Sequence, residues 1–341
     1  MKAIDLFCGV GGLSLGLKLS GIDVIVGMDN WTQALSVYRL NHLHDTLDID
    51  LSDVDTTVNA AANYEIDLIA GGPPCQDFSH AGKRVEGKRA NLTLAYAEIV
   101  AKILPKWFIM ENVDRSQNSD AYSEAREVFC NANYGLTEIV LDASYCGVPQ
   151  KRKRFFCIGK RNESDGFLLE IIKSKLSKSP MTIRQYLGND LGLSHYYRHP
   201  RNYCRRAVFS IDEPSPTIRG VNRPIPKGYP GHANDEVPVE NVRPLTTLER
   251  ARLQTFPENY VWNGNKTEME QFIGNAVPVN LARFVGECVM IHEVNEVIGI
   301  NSKGLLLMPV PRFQALQGIA TGADASNFRD RNDRLFTNSH K

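Results

Sequence analysis

Residues 5–16 read DLFCGVGGLSLG and follow the apolar start of the chain. A short β-forming run, Ala3–Phe7, gives way to glycines at 9, 11 and 12, then to an apolar-periodic stretch over about 12–20. This order predicts strand, tight turn, helix. Glycines at such a turn let backbone amides approach a ligand, and a helix N-terminus favours a carboxylate or phosphate. The pattern is F-x-G-x-G-G, which departs from the G-x-G-x-x-G dinucleotide fingerprint and speaks against a nicotinamide enzyme. Alone, the segment reads equally well as a plain turn. Asp29, after a second predicted strand at Val24–Met28, adds weight, because a carboxylate there can take both ribose hydroxyls of a nucleoside-type cofactor. A third acid in DIDLSDV, Asp50 or Asp48 one pleat away, is placed to accept from an adenine amino group.

Working outward, short apolar runs alternate with helical patterns through residue 160, which predicts an α/β sheet with crossover helices. Further strands are expected at Leu68–Ala70, Phe108–Met110, Glu138–Leu141 and Phe155–Ile158, and helices at about 31–41, 92–104 and 121–132. From 161 to 242 proline and glycine become frequent, as in EPSPTIRG and NRPIPKGYPGH, and a loop-rich region with short strands at best is expected. LTTLERARLQTF and NLARFVGECVMIHEV read as helices again. The expected organisation is a catalytic and cofactor-binding domain over 1–160, a smaller domain over 161–242, the return of the first domain over 243–290, and an extension over 291–341 with a mobile end.

The chain has 341 residues, 43% hydrophobic and 23% charged, which suits a folded protein of one large and one smaller domain. Lys+Arg and Asp+Glu both number 39, so only local clustering can argue for nucleic acid. The seven cysteines form no C-x-x-C pair and predict free thiols in a reducing compartment, hence a cytoplasmic protein. No apolar run approaches the ~20 residues of a membrane span.

Residues 71–79 read GGPPCQDFS, at the C-terminal edge of the fourth predicted strand, where ligands of open α/β sheets sit. A cysteine is by default a small buried hydrophobe, and Cys8, Cys130, Cys157 and Cys288 are read so. The rigid Pro73–Pro74 lead-in makes Cys75 a positioned nucleophile instead. The fifth strand ends in IMENV, so Glu111 reaches the same edge, and a carboxyl there would have its pKa raised by burial. It is either a salt-bridged cap or the second member of a catalytic pair. In GVPQKRKRFFCIG, Arg152 and Arg154 stand two apart on one strand face, within reach of a carbonyl or phosphate.

These stretches together resemble a DNA (cytosine-5)-methyltransferase of the bacterial restriction-modification or orphan type. DLFCGVGG, PPCQDFS, ENV, QKRKR, RPLTTLERARLQTFP and GNAVPVNLA occur in that family's order from Asp5 to about Gly286. The resemblance implies a Rossmann-like S-adenosylmethionine-dependent methyltransferase domain with a mixed sheet, plus a smaller loop-rich target-recognition domain in the 161–242 gap. It implies S-adenosylmethionine as cofactor, leaving as S-adenosylhomocysteine, held by Phe7, Cys8, Gly9, Gly11, Gly12, Leu13, Asp29, Asn30, Asp50, Leu51, Pro73, Asn275 and Ala276. The late IGNAVPV helix, with Val277, is expected to pack back onto the large domain at the cofactor's methionine end.

Such chemistry needs these residue types. Cytosine C5 is a poor nucleophile until a thiolate, Cys75, adds to C6 and makes the ring an enamine. Glu111 would neutralise charge at N3, and Arg154, with Arg152 as a second candidate, would hold O2 or a phosphate. The target base must leave the duplex, and Gln76 and Ser79 are candidates to contact its backbone or fill the vacated stack. Between Met181 and Tyr229 eight Lys/Arg face three acids, a local excess of five positive charges in a neutral chain. Arg198, Arg201, Arg205, Arg206, Arg219 and Arg223 are therefore DNA-binding candidates, by phosphate contact or by reading guanine edges. His195, His199 and Cys204 lack a fourth ligand, and no metal is expected. The expected partner is double-stranded DNA, and the enzyme is expected to be a monomer; whether a cognate endonuclease acts on the same site, without forming a stable complex, stays open. The competing readings are a tRNA cytosine-5 methyltransferase and a catalytically silent DNA-binding homologue, although Cys75 and Glu111 are both intact.

Overall fold

A computed structural model of the chain describes residues 1–74, 92–200, 202 and 204–298. The opening segment forms β1 (Lys2–Leu6), a turn and α1 (Gly12–Leu19), followed by β2 (Asp23–Asp29) and α2 (Thr32–Asn41). Next come β3 (Asp45–Asp48), α3 (Val54–Ala61), β4 (Leu68–Gly71), α4 (Leu92–Ile103), β5 (Trp107–Val113), α5 (Asp120–Asn131), β6 (Tyr134–Asp142), β7 (Gln150–Lys151) and β8 (Lys153–Arg161). Seven of these strands make one sheet in the order β3-β2-β1-β4-β5-β8-β6. Strands β1 to β5 pair in parallel, whereas β8 runs antiparallel to both β5 and β6, so the sheet is mixed.

The central strands are covered on both faces, which is why LIAG and WFIM read as unbroken apolar runs. Alternate residues part to opposite sides: Ala3 and Ile109 pack with Leu17, Leu281 and Val285, while Ile4, Phe108 and Met110 pack with Tyr96, Val100 and Phe129. On the first side α1 lies against α10 (Val279–Ile298). A Cβ on Gly16 would stand 2.4 Å from both the Ala282 Cβ and the Val279 carbonyl oxygen, so this glycine serves close helix packing.

Beyond the sheet lie α6 (Leu169–Lys175), α7 (Ile183–Leu187), the antiparallel pair β9 (His195–Tyr197) and β10 (Val208–Ser210), and β11 (Ser215–Pro216), which pairs with β7. Helices α8 (Thr247–Leu253) and α9 (Lys266–Asn275) follow, each opened by a capping box, Thr246 with Glu249 and Asn265 with Glu268. The region 161–242 shares an apolar cluster with α2, α8 and α9: Ile183, Tyr196, Phe209 and Ile218 pack with Val37, Leu253 and Phe272. Residues 1–299 accordingly form one compact unit.

Several expectations need correcting. Helix α3 was not foreseen, because VDTTVNAA carries only a thin apolar stripe and relies on Asp53, whose side chain accepts from the Thr56 amide. Strands β6 and β8 are each nine residues, longer than the cores read from the sequence, because they form a hairpin paired over its whole length. Residues 161–242 hold two short helices as well as strands. The IGNAVPV segment is not one helix: α9 stops at Asn275, and Ala276–Pro278 is an extended link into α10. That helix runs to Ile298, past the expected boundary at 290. Glu293 accepts from Trp107 Nε1 and Lys106 Nζ, both at 2.7 Å, and Glu296 pairs with Lys160. Cys130 is exposed on the outer side of α5, where Arg126 donates to its sulfur, so it is no core residue. The end of the 291–341 extension, expected to be mobile, lies outside the described residues.

Candidate active site

Strands β1, β2, β4 and β5 end at the same edge of the sheet, and the strand order turns outward in both directions from the β1–β4 pair. Open α/β sheets bind ligands at such a switch point. A cleft of about 470 Å³ lies there, within the usual range for small-molecule sites.

One half of the cleft is built by the glycine turn. Phe7 has φ 60° and Gly9 φ 52°, so the chain leaves β1 through left-handed conformations, which are strained for phenylalanine. Asp29, 9% exposed at the end of β2, holds this turn: Oδ2 accepts from the Gly9 amide at 2.8 Å and Oδ1 from the Trp31 amide at 2.9 Å. Burial pushes its carboxyl upward and these amides pull it back. Phe7, Cys8, Gly9, Gly12, Leu13, Asp29, Asn30, Asp50, Leu51, Pro73, Asn275 and Ala276 all line the cleft. Of the two alternative acids, Asp50 lines it, while Asp48 accepts from the Thr32 hydroxyl. Gly11 does not line it. At φ 88° it caps α1, and a Cβ there would stand 2.2 Å from His42 Nε2.

The other half is built by β5 and β8. Glu111 is 8% exposed, and its Oε1 lies 2.9 Å from Arg154 Nε. Burial raises its pKa, and the Arg154 and Arg152 charges oppose that rise without cancelling it. The neighbouring Asn112 donates from Nδ2 to the Pro73 carbonyl at 3.0 Å, tying the proline segment to β5. Pro73 and Pro74 line the cleft, and Cys75 is the next residue in sequence. Cys75, Gln76 and Ser79 themselves lie outside the described residues, as does Arg201.

Arg152 and Arg154 both line the cleft but differ in their partners. Arg152 sits between β7 and β8, 1% exposed, and donates to the carbonyls of Ile218, Gly274 and Ala276 at 3.0, 3.0 and 3.1 Å. Sequence reasoning did not select Val10, Trp31, Leu92, Asn112 or Phe272, which also line the cleft. Asn112 stood in the ENV stretch beside Glu111, whereas Trp31 and Phe272 lie in different helical segments and come together edge-on at 4.9 Å only in the fold.

A second cleft in the 161–242 region has Arg198, His199, Arg219 and Arg223 on its walls. Arg198 donates to the Thr217 carbonyl at 2.8 Å and Arg219 to the His199 carbonyl at 3.1 Å. Arg223 and Arg205 are exposed, and Arg206 pairs with Glu213 while stacking over Phe209.

At one sheet edge the cleft gathers a buried carboxyl beside an arginine, the Asp29-braced turn and the Pro73–Pro74 segment. The comparisons give the class directly: the model of the C-5 cytosine-specific DNA methylases matches residues 1–290. The chain belongs to that family and is a DNA cytosine-5 methyltransferase. Type II methyltransferase M.HindV of Haemophilus influenzae is 54% identical over 296 residues, covering 86% of this chain and 97% of that protein. Type II methyltransferase M.HgiDI of Herpetosiphon aurantiacus is 51% identical over 286 residues, covering 84% and 93%. Among solved structures, the S. pombe Dnmt2 methyltransferase superposes with a TM-score of 0.65 over 86% of this chain and 99% of its own, at 20% identity, which speaks to the fold alone.

Proposed function

We propose that the protein moves a methyl group from S-adenosylmethionine to C5 of a cytosine flipped out of a short specific duplex DNA sequence, through a transient Cys75–C6 bond. The observation that carries this is Glu111: a buried carboxyl with a raised pKa, held by Arg154 in the same cleft as the Asp29-braced turn and the prolines before Cys75. The cleft suits the cofactor chemically, with carboxylates at Asp29 and Asp50, apolar walls from Phe7, Trp31 and Leu51, and open space where a Cβ on Gly9 would stand. Asp29 would take ribose hydroxyls, Asp50 the adenine amino group, and Asn275 and Ala276 the opposite end. Bound S-adenosylmethionine would supply a sulfonium methyl as the electrophile.

The Cys75 thiolate adds to C6, and the electron pair of the C5–C6 bond becomes available at C5. Glu111 gives its proton toward N3 as charge gathers there, and the Arg154 guanidinium holds the ring's O2. Once C5 carries the methyl group, the C5 proton passes to solvent water, the thiolate departs from C6 and N3 returns its proton to Glu111, which restores the aromatic ring. The exposed Arg205 and Arg223, with Gln76 and Ser79, would contact the duplex. The two Type II relatives support a restriction–modification setting, with an endonuclease acting on the same unmethylated site. A monomer in the cytoplasm suits this reading, and no helix among the described residues is long and apolar enough to cross a membrane.

The test is to incubate the protein with methyl-labelled S-adenosylmethionine and unmethylated duplex DNA, then resolve the nucleosides. Label in 5-methyldeoxycytidine is expected. Label in tRNA and none in DNA would replace this reading with the RNA one.

A further inference from the structure

Arg152 touches three segments that are remote in sequence. Its Nη1 donates to the Ile218 carbonyl, and its Nη2 donates to those of Gly274 and Ala276. Gly274 and Ala276 line the cofactor cleft, whereas Ile218 lines the arginine-walled cleft of the 161–242 region. The two clefts thus share a wall with one guanidinium inside it.

The same wall is braced a second time by amides. The Gln150 Oε1 accepts from the Ile218 amide at 2.8 Å, and its Nε2 donates to Gln254 Oε1 at 2.8 Å. Gln254 Nε2 in turn donates to the carbonyls of Ile273 and Ala276. Gln150 and Gln254 are fully buried. The approach is also tight, because a Cβ on Gly274 would stand 2.2 Å from the Gly220 nitrogen. From the other side, Arg198 holds the Thr217 carbonyl, and the Thr217 hydroxyl donates to Lys151 O at 2.7 Å. Segment 215–220 is therefore fastened to the basic cleft on one side and to the cofactor wall on the other.

We propose that Arg152 is a positioning residue that couples segment 215–220 to the cofactor wall at 274–276, so that the order of one depends on the other. The proposal rests on the reading of the two clefts as DNA and cofactor sites, and assigns Arg152 no contact with the reacting ring. A lysine at 152 keeps the charge but has one nitrogen for three carbonyls separated by the guanidinium's span, and methionine has none.

The test uses the full chain and S-adenosylhomocysteine, titrated into the wild type, R152K and R152M, together with hydrogen exchange of peptides over 215–220 and 273–277. Loss of charge-assisted bonds predicts affinity about tenfold weaker in R152K and weaker still in R152M. Exchange should rise in both segments together. A role in local stability alone would speed one segment and leave affinity unchanged. Affinity in R152K within twofold of wild type, or faster exchange in only one segment, would overturn the coupling. If neither variant folds, the wild type decides: S-adenosylhomocysteine should slow exchange at 215–220, which does not line its cleft, and no slowing would refute the proposal. A wild type that fails to bind S-adenosylhomocysteine would instead sink the cofactor reading, and the exchange comparison would still test Arg152.

Discussion

Glu111 shows how much one position can carry. It follows four apolar residues in β5 and stays buried with Arg154 Nε at 2.9 Å, so its protonated form is favoured beyond the ordinary carboxylate range. Because its pKa is raised in the folded protein, activity that needs the proton should fall as pH climbs through that raised value. Glu111→Gln keeps the shape and cannot give up a proton. Its turnover should drop by about 10²–10⁴-fold, and the pH limb should vanish from the rate profile. Asp5, fully buried in β1 ahead of the glycine turn, makes a separate pH prediction. Burial pushes its carboxyl to about 7 despite the Ser14 hydroxyl at 2.5 Å. A raised folded pKa means stability that is complete below about pH 4 and is lost as pH rises through about 7, a loss of about 4 kcal/mol for a shift of this size. Melting at pH 4 and pH 8 should show most of that loss in the wild type and a flatter profile in Asp5→Asn. At this scale the acids of the cleft, Asp29 and Glu111, were legible, because acids closing apolar strands are local signals. The strained Phe7 was not, since nothing in LFCG announces that the residue before the glycines already has positive φ.

Elements are held by contacts that sequence periodicity only partly reveals. The α1–α10 contact closes over Gly16, so Gly16→Val should cost about 1–3 kcal/mol by overpacking, read as a lower melting temperature. The family's match stops at residue 290, yet the fold continues the helix to Ile298. The added turns carry Glu293 to Trp107 and Lys106, and Glu296 to Lys160, which is 3% exposed. A chain ending at Met290 should therefore melt several degrees below one ending at Ile298, because Lys160 loses its Glu296 partner. Strands buried on both faces were read correctly from unbroken apolar runs such as LIAG. Helix α3 escaped because Asp53 and its cap bond, rather than an apolar stripe, define its start. The full β6–β8 hairpin escaped because residues such as Tyr134 and Arg161 pair only once the strands are antiparallel.

Across the whole molecule, a neutral chain concentrates positive charge in one region, and the fold sorts those arginines by partner. Arg206 is committed to Glu213 and Phe209, whereas Arg205 and Arg223 are exposed. Arg223→Ala should weaken DNA binding roughly tenfold and Arg206→Ala should act chiefly on stability, as binding at several salt concentrations and melting curves would distinguish. The sequence does not sort these arginines by partner, since the Glu213 carboxylate and the His199 and Thr217 carbonyls are tertiary neighbours. The motifs placed Glu111 and the Pro73–Pro74 lead-in at one sheet edge, but neither the strand order nor the shared wall between the two clefts could be read from them. The central claim is the bond between Cys75 and cytosine, and the most direct measurement is denaturing electrophoresis after incubation with S-adenosylmethionine and duplex DNA carrying 5-fluorocytosine. Fluorine at C5 blocks the final elimination, so the wild type should run as a covalent protein–DNA adduct and Cys75→Ser should not. An adduct that persists in Cys75→Ser, or no adduct from a wild type that still methylates ordinary DNA, would contradict the mechanism.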